Sequence, residues 1–195
     1  MKQLSILIIM CMAVIVTNAQ KDTTVFSTIK NAESNEYLFS VPERWNEVPL
    51  IDASAIDRKF DFTDVALPHL YNNSPLVATL TLRKVTAKDK SEGESFVINE
   101  FTSYTDRLTP AGYNYETDSI KIASGETATL ISTHFYRRSK VSNFSCFDLV
   151  AYSNQRSVAY VITITYQYKD PTYIAEADLK LKQYALRIFR TLKLR

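Results

Sequence analysis

The chain has 195 residues, of which 23 are basic and 21 acidic, so its formal net charge at pH 7 is only +2. A charge this close to zero gives no electrostatic reason to expect nucleic acid or an anionic membrane as a partner. The three glycines, Gly93, Gly112 and Gly125, are too widely spaced to form a phosphate-binding loop. The composition therefore predicts no nucleotide cofactor.

The first 19 residues have the three parts of a secretory signal peptide. Lys2 supplies a basic start, an apolar run extends from Leu4 to Val16, and Thr17-Asn18-Ala19 is the polar end with small residues. A membrane anchor is the alternative, but the apolar run is shorter than the roughly 20 residues of a spanning helix. We therefore expect cleavage after Ala19, export to the periplasm or the medium, and no integral membrane segment afterwards. The intact mass of the exported protein would show whether it begins at Gln20.

The segment left after cleavage has the length of one ordinary domain. We predict a polar leader over residues 20–36 and a single domain over residues 37–195. Cys146 is then the only thiol, so an intrachain disulfide is excluded despite the export signal.

Alternating apolar residues and turn residues predict the first elements of this domain. The strand Tyr37–Val41 ends at Pro42, and the turn after it places Trp45 against the body of the domain. We predict a short helix over Pro49–Asp57, with Leu50, Ile51 and Ile56 facing inward, and an irregular segment over Lys59–Asn73.

A second strand and a longer helix are predicted next. The strand covers Leu76–Val85, and Ser91 with Glu94 has the spacing of a capping box. The helix that begins there should extend to about Leu108, where Pro110 and Gly112 end it. Its predicted buried side consists of Val97, Phe101, Tyr104 and Leu108.

The second half of the domain is predicted to be a series of antiparallel strands closed by a helix. The strands cover residues 113–123, 127–137, 144–153 and 158–167, and a short edge strand follows at 191–194. Asp170-Pro171 should begin the closing helix. Its apolar stripe is Ile174, Ala177, Leu181, Ala185 and Ile188. The predicted fold class is α+β, a largely antiparallel sheet flanked by helices in an α/β/α sandwich.

Two groups of residues are candidates for binding. Arg137, Arg138 and Lys140 form a basic hairpin tip that could contact an acidic partner, although such tips are usually only solvated. Trp45 is a further candidate if its ring is exposed. For metals, His69 lies near three aspartates, Asp57, Asp61 and Asp64, but their spacing matches no zinc or calcium motif, so no metal site is predicted.

A polar patch follows from the predicted hairpin register. A turn centred on Lys140 pairs His134 with Cys146 and Ser132 with Asp148, and the next turn pairs Cys146 with Thr163. The patch would contain Ser132, His134, Cys146, Asp148 and Thr163. A thiol, an imidazole and a carboxylate are the parts of a cysteine nucleophile site. Catalytic groups usually lie at strand ends or on loops, however, so a structural role with an unreactive Cys146 is the preferred interpretation.

The strings YLFSVPERW (residues 37–45) and IFRTLKL (residues 188–194), with the sheet and helices between them, resemble the PsbP-like family. This family includes extrinsic photosystem II subunits, a Ran-binding nuclear-import factor and exported bacterial proteins. The resemblance covers roughly residues 35–194 and implies the fold, with Pro42 and Trp45 as its recurring features. No photosynthetic or Ran-binding surface is matched residue by residue.

Three functions remain open from the sequence. The first, which the resemblance favours, is an exported, non-enzymatic binding or accessory module with a protein partner. The second is a carrier of a small apolar ligand held between sheet and helix, because the chain has 12 tyrosines and 10 phenylalanines. The third is a thiol enzyme that uses Cys146. The sequence does not determine the oligomeric state.

Overall fold

The structure is a computed structural model that describes residues 29–50, 56–64, 76–105, 115–137, 142–168 and 175–195. The predicted signal peptide, His69, Arg138 and Lys140 lie outside these residues, as does the predicted helix end at Leu108, Pro110 and Gly112. Within the described ranges there are ten strands and two helices. They are β1 (Ile29–Glu33), β2 (Tyr37–Pro42), β3 (Asn46–Glu47), β4 (Ile56–Asp64), β5 (Leu76–Thr86), α1 (Lys90–Thr105), β6 (Tyr115–Lys121), β7 (Thr127–Arg137), β8 (Ser142–Ser153), β9 (Val158–Tyr168), α2 (Ala175–Phe189) and β10 (Lys193–Leu194).

The strands form two antiparallel sheets. The small sheet has the order β1-β2-β10, and the large sheet has the order β3-β4-β5-β9-β8-β7-β6. Helix α1 packs on one face of the large sheet, against β8 and β9, and α2 packs against β8, β9 and β2. The predicted α+β class is thereby confirmed, as is the interior position of β9.

The main core lies between the large sheet, α2 and the small sheet. Alternate residues of the central strands are fully buried there because a β-strand turns every second side chain to the same face. They include Leu80, Leu82, Leu149, Ile162 and Ile164, and they meet Leu181, Ala185 and Ile188 from α2. The predicted stripe of the closing helix is therefore correct for these three residues.

Trp45 belongs to this main core. Its backbone N–H donates to the carbonyl of Pro42 at 3.0 Å, which closes the predicted turn, and its side chain is only 2% exposed. The ring is an internal anchor, so the alternative in which an exposed Trp45 binds a partner is wrong.

The segment between β3 and β5 differs from the prediction. Residues 56–64 form strand β4 in place of the end of a helix and an irregular segment, and Leu50 is exposed instead of buried. Pairing explains the difference, because β4 lies beside β5 and Phe60 is opposite Leu80 in the core. The alternation of Phe60 and Phe62 was the available signal for a strand.

Helix α1 begins before the predicted capping box. Asp89 caps it, since its Oδ1 accepts the backbone N–H of Glu92 at 2.8 Å, and Glu92 Oε2 accepts the N–H of Lys88 at 2.7 Å. Glu94, the predicted partner of Ser91, instead accepts a hydrogen bond from Thr129 on β7 at 2.5 Å. Among the described helices, none is long and apolar enough to cross a bilayer.

Gly93 sets the distance between α1 and the large sheet. A Cβ atom at this position would lie 2.7 Å from Ala159 Cβ and 3.2 Å from Val150 Cγ1. Because Ala159 Cβ is attached directly to the backbone of a central strand, the helix would have to move away from the sheet.

We therefore predict that Gly93→Ala destabilises the protein. The overpacking costs about 1–3 kcal/mol, and the better helix propensity of alanine offsets about 1 kcal/mol, so a net loss of up to about 2 kcal/mol is expected in urea unfolding. Ser95→Ala on the exposed side of α1 is the matched control, expected within about 0.5 kcal/mol of wild type. A Gly93→Ala variant more stable than wild type would contradict the close packing.

Candidate functional site

The observed register divides the predicted polar patch between the two faces of the large sheet. Cys146 lies opposite Thr133, one residue from the predicted His134, and opposite Thr165 on β9 in place of Thr163. A shift of one residue moves a side chain to the other face, whereas a shift of two does not. Cys146, Asp148 and Thr163 therefore share the face covered by α1, and Ser132 and His134 lie on the opposite face.

The lengths of the two turns explain this error. Between β7 and β8, four residues separate the paired residues Arg137 and Ser142, so the connection has no single central residue at Lys140. Between β8 and β9, Ser153 pairs with Val158, and the four-residue turn ends at Ser157 with a φ of 51°. An even turn in place of an odd one changes which residues face each other across β7 and β8.

His134 has a different environment from the one predicted. Its Nε2 lies 3.2 Å from Oδ1 of the buried Asn143, and the charge of Asp178 on α2 acts on it from the same side. Burial lowers the pKa of His134, and Asp178 and Asn143 oppose that shift. With the sheet between them, this imidazole cannot take a proton from the Cys146 thiol. The thiol, imidazole and carboxylate proposed for a thiol enzyme therefore do not lie together in the structure.

The sheet face beneath α1 is apolar at one end and polar at the other. Near Gly93 it presents Val150, Ala159 and Val161, which pack against Val97 of the helix. Farther along, adjacent strands place hydroxyl groups side by side, because Thr81 pairs with Thr163 and Thr79 pairs with Thr165. The helix thus covers an apolar area and overhangs a floor of threonines.

A cavity of about 300 Å³ lies over this polar floor, and we call it the α1 cavity. Its walls combine charged, hydroxyl, thiol and aromatic side chains. The lining residues are Thr81, Arg83, Glu100, Phe101, Phe135, Phe144, Cys146, Asp148, Thr163 and Thr165. The rings of Phe135 and Phe144 stack with centroids 4.9 Å apart, and Phe101 meets Phe135 edge-on at 6.5 Å. One wall is therefore aromatic.

Asp148 is the carboxylic acid at the bottom of the α1 cavity. It is 1% exposed, its Oδ1 accepts a hydrogen bond from Thr163 Oγ1, and its Oδ2 has no hydrogen-bond partner among the described residues. Burial raises the pKa of Asp148 to about 7, although the hydrogen bond from Thr163 and the charge of Arg83 oppose the shift. A buried carboxyl oxygen without a partner costs free energy, so the group is poised to bind a donor.

Arg83 and Glu100 form an ion pair at the edge of the α1 cavity. Arg83 Nη1 lies 2.5 Å from Glu100 Oε2, and the guanidinium lies 5.3 Å from the ring centre of Phe96. The positive charge nearest to Asp148 is therefore already neutralised by a carboxylate and held by an aromatic ring.

Cys146 is 3% exposed, and its Sγ lies 3.6 Å from Thr165 Oγ1. Burial first, and then the negative charge of Asp148, raise the pKa of its thiol well above the ordinary value. Such a thiol has almost no thiolate at neutral pH and is a poor nucleophile. The predicted burial of Cys146 is correct, as is its place on a central strand with Asp148 along the same face.

Most residues that line the α1 cavity were not predicted as site residues. Cys146, Asp148 and Thr163 were predicted, whereas Thr81, Arg83 and Thr165 were not, because the pairing of their strands was unknown. The alternating threonines of β5 and β9 were the signal that one sheet face is polar. Within the described residues, no three His, Cys, Asp or Glu side chains are grouped to hold a metal. Arg137 lies at the end of β7, and whether the basic tip binds a partner stays a prediction.

No protein-family model and no curated protein matches the sequence. Solved structures with a similar arrangement include LpqN of Mycobacterium tuberculosis, described as involved in cell envelope biogenesis, at 15% identity and a TM-score of 0.46 over 86% of this chain and 90% of that chain. The Ran-binding protein Mog1p of Saccharomyces cerevisiae is 12% identical, with a TM-score of 0.48 over 86% and 95% of the two chains. PA94 of Pseudomonas aeruginosa, a protein of unknown function, is 16% identical, with a TM-score of 0.43 over 86% and 97%. These similarities assign no partner or activity, and membership of the PsbP-like family stays a prediction.

We predict that the Cys146 thiol of the folded protein reacts slowly with iodoacetamide between pH 6 and pH 8. Burial suppresses the thiolate, and the sheet separates the thiol from His134, so His134→Ala should leave the rate unchanged. Labelling is followed by mass spectrometry, with urea-unfolded protein as the control that labels fully. Rapid labelling near pH 6 that His134→Ala abolishes would contradict the observed register.

Asp148 should make the protein less stable as the pH rises. Its pKa is about 7 in the folded protein against an ordinary value of 3.8, so the folded state holds this proton more tightly than the unfolded chain. The resulting stability is complete below about pH 4 and is lost as the pH rises to about 7. The loss is on the order of 4 kcal/mol for a shift of this size.

The Asp148→Asn variant isolates this effect. We expect the difference in unfolding free energy between wild type and variant to move in favour of the variant between pH 4.5 and pH 7.5, measured by urea unfolding. Glu43→Gln, at an exposed carboxylate in the turn after β2, is the matched control and should not produce this trend. A difference that is constant with pH would mean that Asp148 is not buried in the way described.

Proposed function

We propose that this protein is an exported, non-enzymatic binding module with a PsbP-like fold, and that its ligand occupies the α1 cavity. The observation that carries the proposal is the buried Asp148 carboxyl group, whose Oδ2 lacks a partner at the bottom of an otherwise aromatic and hydroxyl-lined cavity. Binding sites commonly combine an apolar wall with a few polar groups that fix the orientation of the ligand.

The size of the α1 cavity favours a small ligand. Its volume of about 300 Å³ is at the lower end of ligand pockets and equals the space of roughly ten water molecules. A compact molecule with one ring and a short polar arm has suitable dimensions. This supports the carrier hypothesis over a partner that binds only at the surface.

Catalysis is not part of the proposal. The thiol that lines the α1 cavity has a raised pKa, and the imidazole predicted to activate it lies on the other face of the sheet. A thiol that is almost wholly protonated at neutral pH and has no imidazole within reach does not meet the requirements of a cysteine nucleophile site.

Filling the α1 cavity tests the proposal. Thr81→Phe places a ring inside it, whereas Thr79→Phe, two residues along the same face of β5, lies outside the lining and is the matched control. Native mass spectrometry of protein from the exported fraction should show a retained small molecule in wild type and Thr79→Phe, but not in Thr81→Phe. A thermal-shift screen with a small-molecule library covers a ligand that is lost on purification, and its hits should depend on Thr81 in the same way.

The alternative is a protein partner, as the family resemblance implies. Pull-down from the exported fraction distinguishes the two functions. The alternative outcome is that both phenylalanine variants capture one defined protein, while no small molecule is retained by the protein or stabilises it. That result would favour the protein partner and contradict the cavity proposal.

A further inference from the structure

The α1 cavity also restricts the chemistry of its ligand. We propose that the ligand is a small aromatic amine, whose ammonium group pairs with Asp148 and whose ring packs against Phe101, Phe135 and Phe144. This inference rests on the proposed function, because it names the ligand class for the same cavity.

The charge inside the α1 cavity favours a cation. Arg83 and Glu100 neutralise each other at the edge, so ionised Asp148 leaves one uncompensated negative charge. Among the described residues that line the cavity, the remaining titratable group is the Cys146 thiol, whose pKa is raised by burial, so it is uncharged at neutral pH. An ammonium group would supply the missing charge and donate to Oδ2, whereas a ligand carboxylate would face a buried carboxylate across a medium of low polarity.

Hydroxyl groups around Asp148 fit the remaining hydrogens of an ammonium group. Thr163 donates to Oδ1 of Asp148, and Thr81 and Thr165 line the cavity on the neighbouring strands. A protonated primary amine has three donors and no acceptor, so threonine oxygens beside one carboxylate can accept the other two.

The aromatic wall argues for a ring in the ligand. Phe135 and Phe144 are stacked almost parallel, at an interplanar angle of 6°, and Phe101 stands edge-on to Phe135. Aromatic rings prefer offset-stacked or edge-to-face neighbours, and this arrangement offers both an edge and a face. A bare ammonium ion has no apolar part to pack against this wall, and an alkylamine has no ring to stack on it.

Three probes of similar shape test the class: 2-phenylethylamine, 2-phenylethanol and 3-phenylpropanoate. Isothermal titration calorimetry at pH 8 should show the amine binding roughly 10- to 100-fold more tightly than the alcohol, as expected for a hydrogen bond to a charged group. The propanoate should bind most weakly.

The pH dependence of amine binding and one variant test whether Asp148 is the group that contacts the ammonium. With a pKa of about 7 for the free carboxyl group, the affinity for the amine should fall about tenfold from pH 8 to pH 6, and the affinity for the alcohol should not. Asp148→Asn should lower amine affinity at least tenfold and remove its pH dependence. Glu94→Gln, on α1 but outside the cavity lining, is the matched control and should change neither.

Each outcome decides between the two proposals. If the alcohol or the propanoate binds as tightly as the amine and Thr81→Phe abolishes that binding, the amine class is wrong and the cavity function stands. Amine binding that survives both Asp148→Asn and Thr81→Phe, in variants shown to be folded by circular dichroism, overturns the assigned contact. If no probe binds at millimolar concentration, the amine class is overturned, and the native mass spectrometry then decides the proposed function by itself.

Discussion

The pairing register of β8 with β7 and β9 is the constraint on which the rest of the structure depends. With Leu149 opposite Leu130 and Ile162, the apolar residues of three strands enter one core. The same register necessarily turns Cys146 and Asp148 to the other face, beneath α1. A slip of one residue in β8 would turn Phe147 and Leu149 to the α1 face and bring Cys146 and Asp148 into the main core, so the packing of the main core fixes the position of the polar cavity.

The two faces of the large sheet serve different purposes. The face under α2 is filled by large apolar side chains and is the main source of stability. The face under α1 is tightly packed only near Gly93 and then opens over threonines and an acid. Asp148 on this second face lowers the stability of the protein, because a buried carboxyl group with a raised pKa reduces the free energy of unfolding at neutral pH. Proteins retain such groups mainly at functional sites.

The sequence predicted the fold well wherever local pattern and tertiary pairing agree. The side chains of β9 alternate between the two faces without interruption, and α2 carries its apolar stripe over Leu181, Ala185 and Ile188. The spacing of apolar residues in the sequence was therefore enough to identify both elements. Strand β4 was missed because its polar residues, such as Lys59 and Asp61, conceal the alternation of Phe60, and only pairing with β5 fixes it. The start of α1 was predicted too far along the chain, because Asp89 and Ser91 are both suitable N-cap residues.

The candidate site was harder to predict because a register error of one residue has no local signature. Any hairpin between β7 and β8 keeps the composition of both strands, yet an even turn brings Thr133 to Cys146 and an odd turn brings His134 there. The first arrangement places a threonine beside the buried thiol and acid, and the second would place an imidazole there, which completes the parts of a thiol nucleophile. The face on which His134 lies thus depends on the parity of a single turn, and Thr79, Thr81, Thr163 and Thr165 do not decide it, because Asp148 shares their face in either register. Strand β7 does not decide it either, since Leu130 on one face and Ile131 on the other are both apolar and both buried, so only the full pairing fixes its register.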